Sequence, residues 1–330
     1  MLRTLWRVAI AGLLGIGATS CSSGGNGNQS GDAGGVPTAG MTWTQRGGAR
    51  DWTSVASSAD GTKLVAVVGH SYPGYIYTSA DSGTTWAQTG TQQFWSSVAS
   101  SADGTKLVAA TDLDSYLYTS ADSGATWTQT GTQRYWSSVA SSADGTKLVA
   151  AGGFIYTSAD SGLTWTQRNS IAFWASVASS ADGTKLVAVG DGGHIYTSGD
   201  SGATWTQTGS QQEWFSVASS ADGTKLVAVT FGGYIYTSGD SGATWTQTGT
   251  QQYWCSVASS ADGTKLVAVA CGTSPASGGY IYLSADSGVT WTQTGTQQYW
   301  WSSASSSADG TKLVAVVNGG YIYTSSGPLP

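Results

Sequence analysis

Ser238-Gly239-Asp240-Ser241-Gly242-Ala243-Thr244-Trp245 is the stretch that decides how this chain is read, because near-copies of it recur along the sequence. SADSGTTW occupies 79–86, SADSGATW 120–127, SADSGLTW 158–165, SGDSGATW 198–205 and SADSGVTW 284–291, giving six copies of Ser-x-Asp-Ser-Gly-x-Thr-Trp. Each residue type has a task in a tight turn between two strands. An Asp carboxylate accepts hydrogen bonds from backbone N–H groups one to three residues on, closing the loop from within. Gly supplies a positive φ that a residue with a Cβ avoids. Thr and Trp are expected to open the next strand, with the Trp laid over the hairpin. The turn aspartates are then Asp81, Asp122, Asp160, Asp200, Asp240 and Asp286.

A second marker, Ala-Asp-Gly-Thr-Lys-Leu-Val-Ala, begins at Ala59, Ala102, Ala143, Ala181, Ala221, Ala261 and Ala308, with successive spacings of 43, 41, 38, 40, 40 and 47. A unit of that length bounded by turn chemistry holds four short strands. In the unit around Asp222 the pattern predicts strands over 214–219, 225–230, 234–238 and 244–248, with Asp222-Gly223 turning the first hairpin. Leu226-Val227-Ala228-Val229 is an apolar run expected of a strand covered on both faces. Four strands repeated seven times predict an all-β, seven-bladed propeller. The ends of the repeat agree. The chain finishes on a third strand, Tyr321-Ile322-Tyr323-Thr324-Ser325, while a spare fourth, Thr42-Trp43-Thr44-Gln45, opens the domain. The N-terminal strand is therefore expected to join the last blade and close the ring, removing its free edges.

The first forty residues lie outside the repeat. Segment 1–20 carries Arg3 and Arg7, then an apolar run over 8–16, then small residues, which is the shape of a secretory signal. The run is short for a membrane span. Ala18-Thr19-Ser20-Cys21 resembles a lipobox, which implies lipidation at Cys21, with ordinary signal-peptidase cleavage nearby as the alternative. Segment 21–40 is Gly, Ser, Asn and Asp with almost nothing apolar, a flexible tether. The domain then runs from 41 to 330. Export is expected, to a bacterial cell envelope as a lipoprotein or as a secreted protein, with membrane contact only through the lipid.

The repeated turn resembles the Asp box, or bacterial neuraminidase repeat, and the resemblance spans about 42–325. It implies a propeller of the sialidase-like superfamily, whose members include sialidases, some glucanases, sortilin-type receptors and photosystem II assembly factors. Motif and fold are shared by enzymes and binding proteins alike.

Composition narrows the chemistry. The formal charge is −6, and without Arg3 and Arg7 the balance is 11 Lys and Arg against 19 Asp and Glu. No basic cluster stands out, which argues against nucleic acid as a partner. All seven lysines share one repeat position, and thirteen of the 19 acids belong to the two repeated turns. That leaves Asp32, Asp51, Asp112, Asp114, Asp191 and Glu213. A glycosidase needs two carboxylates converging on one bond. The sialidase resemblance would add an arginine triad and a Tyr–Glu pair, yet Glu213 is the single glutamate and Tyr-Glu does not occur. Sialidase-like glycosidase activity is therefore not expected. With only His70 and His194, neither a metal site nor a Ser–His–Asp set can be assembled, and no cofactor is expected.

Cys255 and Cys271 flank the Asp262-Gly263 hairpin almost symmetrically. In an exported protein that pattern predicts a cross-strand disulfide, unless a one-residue register step points the two side chains to opposite faces. Variation between repeats collects in the loops between second and third strands and in the connections between blades. Both sets belong to one face of a propeller. That face carries Phe94, Tyr135, Phe173, Glu213, Tyr253 and Trp300, together with Arg50, Asp51, His70, Arg134, Asp112 and Asp114, and it is the candidate ligand-binding surface. Aromatics interleaved with Gln pairs (92–93, 211–212, 251–252, 297–298) suit a glycan, and the recurrent Trp set from Trp52 to Trp301 either joins that surface or packs blade on blade. The sequence thus reads as a monomeric, non-catalytic binding or scaffold propeller for a glycan or another protein. A sialidase-like glycoside hydrolase and a protein-complex assembly factor are the alternatives.

Overall fold

The computed structural model describes residues 41–69, 72–113, 115–169, 173–190, 192–272, 278–298 and 300–327. The signal segment, the tether, Cys21, His70 and Asp114 lie outside the described residues. Among those described, every regular element is a strand. β1 is Thr42–Arg50, and the first blade follows as β2 (Trp52–Ser57), β3 (Leu64–Val68), β4 (Gly74–Ser79) and β5 (Ala87–Gln93), in that spatial order. Seven four-stranded antiparallel sheets result. Blade 7 is made of Trp301–Ser306, Leu313–Val317, Gly320–Ser326 and β1, in register Trp43↔Ser325 and Gln45↔Tyr323. Ring closure by the N-terminal strand is as the sequence predicted.

The strands of a blade are short and two-faced, so each blade buries one face against each neighbour. From blade 1, Trp52, Val55, Leu64, Ala66 and Tyr77 meet Val314, Val316 and Ile322 of blade 7. Its other face, Val65, Val67 and Ile76, meets Trp95, Val98, Leu107 and Ala109 of blade 2. Trp52 and Val55 are an odd number of residues apart, yet they share a face because a bulge lies between Trp52 and Ser54. The same bulge recurs after Trp95, Trp136, Trp174, Trp214, Trp254 and Trp301. All seven Trp side chains are at most 3% exposed, each edge-on to a Tyr of the third strand at 5.0–5.3 Å. The recurrent Trp set is blade-to-blade packing and is withdrawn from the ligand surface.

The repeated turns differ from their expected form in one respect. The fourth strand of blade 5 starts at Thr246, two residues later than expected, and the second starts at Leu226. Asp240 causes the delay. Its carboxylate accepts from the Thr244 N–H at 2.8 Å and the Thr244 hydroxyl at 2.6 Å, four residues on rather than one to three. Trp245 Nε1 donates to the Gly242 carbonyl at 3.1 Å, so both residues are held in the turn. Ser241 and Gly242 have φ of 57° and 87°, and a methyl on Gly242 would sit 2.7 Å from Thr197 Cγ2 of the preceding blade.

Two closed rings of hydrogen bonds run around the first strands. Each Ala of Ala-Asp-Gly donates its N–H to the carbonyl of its counterpart in the next blade at 2.7–2.8 Å, and Ala308 returns to Ala59. Ser54, Ser97, Ser138, Ser176, Ser216, Ser256 and Ser303 each accept a backbone N–H of the following blade at 3.2–3.3 Å. Blade 1 is thereby fixed to blade 7 by the same bonds that fix every other pair.

Candidate binding face

One rim of the ring is a lattice. In Ser220–Lys225, Asp222 accepts from the Ser220 hydroxyl at 2.6 Å, the Thr224 N–H at 3.0 Å and the Thr224 hydroxyl at 2.7 Å. Such bonds favour the carboxylate form. Asp81, Asp122, Asp160, Asp200 and Asp240 are held down at about 2 chiefly by their Thr partners, and Asp60, Asp103, Asp144, Asp182, Asp262 and Asp309 at about 2 chiefly by a Ser hydroxyl. The lysines extend the lattice to the next blade. Lys63 Nζ donates to Ser123 Oγ at 3.3 Å and Lys106 Nζ to Ser161 Oγ at 3.3 Å. Lys265 Nζ and Lys312 Nζ instead donate to the carbonyls of Asp309 at 2.6 Å and Asp60 at 2.9 Å in the next blade.

The opposite face gathers what varies. Phe94, Tyr135, Phe173, Glu213, Tyr253 and Trp300, with Asp51 in blade 1, occupy one equivalent position, directly before the first strand of each blade. First strands contact one another around the ring, so these seven residues encircle one mouth of the axis. Their backbones are locked to the neighbouring loop: Asp112 N–H to Phe94 O at 2.7 Å, Phe231 N–H to Glu213 O at 2.9 Å, Cys271 N–H to Tyr253 O at 2.8 Å. Among the described residues the exposed large apolar side chains are Tyr72, Leu113, Phe173, Tyr253, Leu163 and Val289. The first four lie on this face; Leu163 and Val289 replace the small residue of the repeated turn.

Several sequence-picked groups are engaged in packing. Arg50 lies 4.7 Å over the Tyr77 ring, and Arg134 lies 5.3 Å over Tyr156 and 5.7 Å over Phe154, so both guanidinium groups stack on the blade that follows. The first Gln of each pair ties down a loop, Gln92 Nε2 to Pro73 O at 2.9 Å and Gln251 Nε2 to Gly232 O at 2.9 Å. The second reaches the next blade in two pairs, Gln93 to the Tyr118 hydroxyl at 3.3 Å and Gln252 to the Tyr282 hydroxyl at 3.4 Å. These amides are fold ties, which weakens the glycan argument. Asp112 caps its own loop through the Leu113 N–H at 2.7 Å.

Sequence reasoning missed Phe215 and Phe231. Phe231 lies 5.5 Å from Phe215 and 5.1 Å, edge-on, from Tyr253, and Gly232 with φ 74° lets the loop approach the Tyr253 ring. The aromatic cluster therefore spans blades 5 and 6. Both residues replace small or polar ones at their repeat positions, a signal readable from the aligned copies (WFSV against WSSV, VTFGG against VGDGG). Beside the cluster, Cys255 is the residue extruded by the bulge after Trp254, which removes the register objection to pairing it with Cys271. The two are bridged, with Cα atoms 5.8 Å apart. Among the described residues no group of three His, Cys, Asp or Glu converges as a metal site.

No family model and no curated protein matches this sequence. Solved structures do. YCF48 from Cyanidioschyzon merolae superposes with a TM-score of 0.65 at 14% identity, over 87% of this chain and 99% of that one. YCF48 bound to a D1 peptide gives 0.63 at 15% identity, over 87% and 96%. The GH74 enzyme of Niastella koreensis gives 0.68 at 15% identity, over 86% of this chain and 53% of that one, so this chain spans about half of that enzyme. Identity this low establishes a shared fold and leaves function to the site.

Proposed function

We propose that this protein is an exported, non-catalytic propeller that binds or scaffolds another protein on its variable face. One observation carries the reading: most residues that differ between repeats, and four of the six exposed large apolar side chains among the described residues, collect on one face of the ring, while the other rim is spent on near-identical turns. Apolar groups at the centre of a polar face are the usual anchors of a protein interface. Tyr253 is a pre-organised anchor, since its carbonyl is bonded to Cys271 and the disulfide clamps the chain two residues on. One YCF48 structure is bound to a D1 peptide, and a protein partner follows that precedent. The repeated turn we assign to the Asp-box class, the chain to the sialidase-like superfamily, and Cys21 to lipidation. The protein is read as a monomer that touches the membrane only through that lipid.

The hydrolase reading, favoured by the GH74 likeness, needs a carboxylate pair on the variable face. Of the described acids, only Asp51, Asp112 and Glu213 lie outside the repeated turns. The test is a peptide array and a glycan array probed with the wild type and a Tyr72→Ser, Leu113→Ser, Phe173→Ser, Tyr253→Ser variant. Peptide binding that the variant loses is expected. Hits on glycans alone, or turnover of a fluorogenic sialoside or cello-oligosaccharide, would overturn the reading.

A further inference from the structure

We propose that the lattice rim carries two binding sites for a tetrahedral oxyanion, a phosphate or sulfate group, at the junctions of blades 3 and 4 and of blades 7 and 1. Each is a cleft between blades. The first is lined by Lys147, Arg168, Thr157, Ser179 and Ser201, the second by Lys312, Arg46, Thr324, Ser57 and Ser82. The two sets are repeat-equivalent, residue for residue, on nearly opposite sides of the ring.

What separates these junctions from the other five is one position. Thr89, Thr130, Thr208, Thr248 and Thr294 stand elsewhere where Arg46 and Arg168 stand here. Threonine clips the cleft shut. The Thr130 hydroxyl donates to the Gly162 carbonyl of the next blade and accepts from Trp165 Nε1 at 3.3 Å, and Thr89 does the same with Gly124 and Trp127. Arginine does not form that clip. Its Nε–H turns back to its own blade, Arg168 to Thr157 Oγ1 at 2.7 Å and Arg46 to Thr324 Oγ1 at 3.3 Å. The guanidinium then lines an open cleft with its Nη groups as a forked donor, which matches a phosphate or sulfate edge.

Lysine supplies the second charge. Lys147 Nζ donates to Ser201 Oγ at 3.4 Å and Lys312 Nζ to the Asp60 carbonyl at 2.9 Å. No carboxylate lines either cleft. Asp160 holds two lining residues of the first cleft, Ser158 at 2.7 Å and Thr164 at 2.6 Å, and Asp182 and Asp60 feel the lysines; all three are bonded within their own turns, Asp182 to Ser180 at 2.6 Å and Asp60 to Ser58 at 2.6 Å. Two cations and several hydroxyls facing one cleft, in a molecule that is acidic as a whole, make a local anion seat. The site stands apart from the variable face, whatever that face binds.

The test uses inorganic sulfate, with chloride at matched ionic strength as control, and selenate as the heavy-atom mimic. Arg46→Thr with Arg168→Thr installs the residue that five junctions already carry, so the variant is expected to fold. Wild type should bind sulfate saturably and show one selenate peak per cleft. The double variant should lose both peaks and bind about tenfold more weakly or worse. Glucose 6-sulfate binding as tightly as free sulfate would identify an esterified ligand, and binding of the free ion alone a free one; either supports the sites. Absence of selenate from both clefts, or an unchanged affinity in the double variant, would overturn them.

Discussion

The two rims of this ring are built from the same strands and teach different lessons. On the lattice rim the Asp, Ser, Thr and Lys side chains of the turns have partners fixed by the repeat, so apart from Arg46 and Arg168 its residues are spent on shape. On the variable face the same positions hold Asp51, Phe94, Tyr135, Phe173, Glu213, Tyr253 and Trp300, one per blade, and the repeat places no common demand on them. Identical scaffolding below frees the residues above to differ. That division is the physical basis for assigning most of the stability to one rim and recognition of a protein partner to the other.

The comparison breaks most visibly in acid. The lattice carboxylates sit below the ordinary 3.8, most of them at about 2, so each contributes stability that is full above the unfolded value and is lost as pH falls through the folded one. The melting temperature should be flat above about pH 5 and collapse between about pH 4 and pH 2. A loss centred near pH 6 would count against the lattice. Next in size is Trp136→Ala, which removes a side chain 1% exposed between blades and should cost about 3–5 kcal/mol in chemical denaturation. Reducing the Cys255–Cys271 bridge should cost about 2–4 kcal/mol, and neither cysteine should react with a thiol reagent in the native, unreduced protein. Gly183→Ala is smaller, about 1–3 kcal/mol, because φ is 67° and the new methyl would meet Lys147 Cβ at 2.7 Å. On the other face Leu113→Ser should change stability by at most about 0.5 kcal/mol while lowering ligand affinity.

The architecture was legible because each turn repeats a residue set with one conformational meaning. Counting strands to Ser325 exposed a missing partner that Thr42–Arg50 supplies. Strand starts were legible less well, since Asp240 captures Thr244 and Trp245 by side-chain bonds that propensity does not contain. The candidate face was found as a region and blurred in detail. Arg50, Arg134 and the Gln pairs look like ligand groups in sequence, and only the position of the next blade reveals them as ties. Arg46 and Arg168 show the reverse. They lie on the outermost strands of their blades, and a cleft appears beside them only when the neighbouring blade is in place.

The most direct test places a photo-crosslinker, p-benzoylphenylalanine, at position 113 on the variable face or at position 163 on the lattice rim. Both native residues are exposed leucines, 56% and 83%, so the two variants differ in location alone. Irradiated in its native compartment, the protein should form a discrete protein adduct from position 113 and none from position 163. Adducts from position 163 alone, or from neither position, would contradict the assignment of recognition to the variable face.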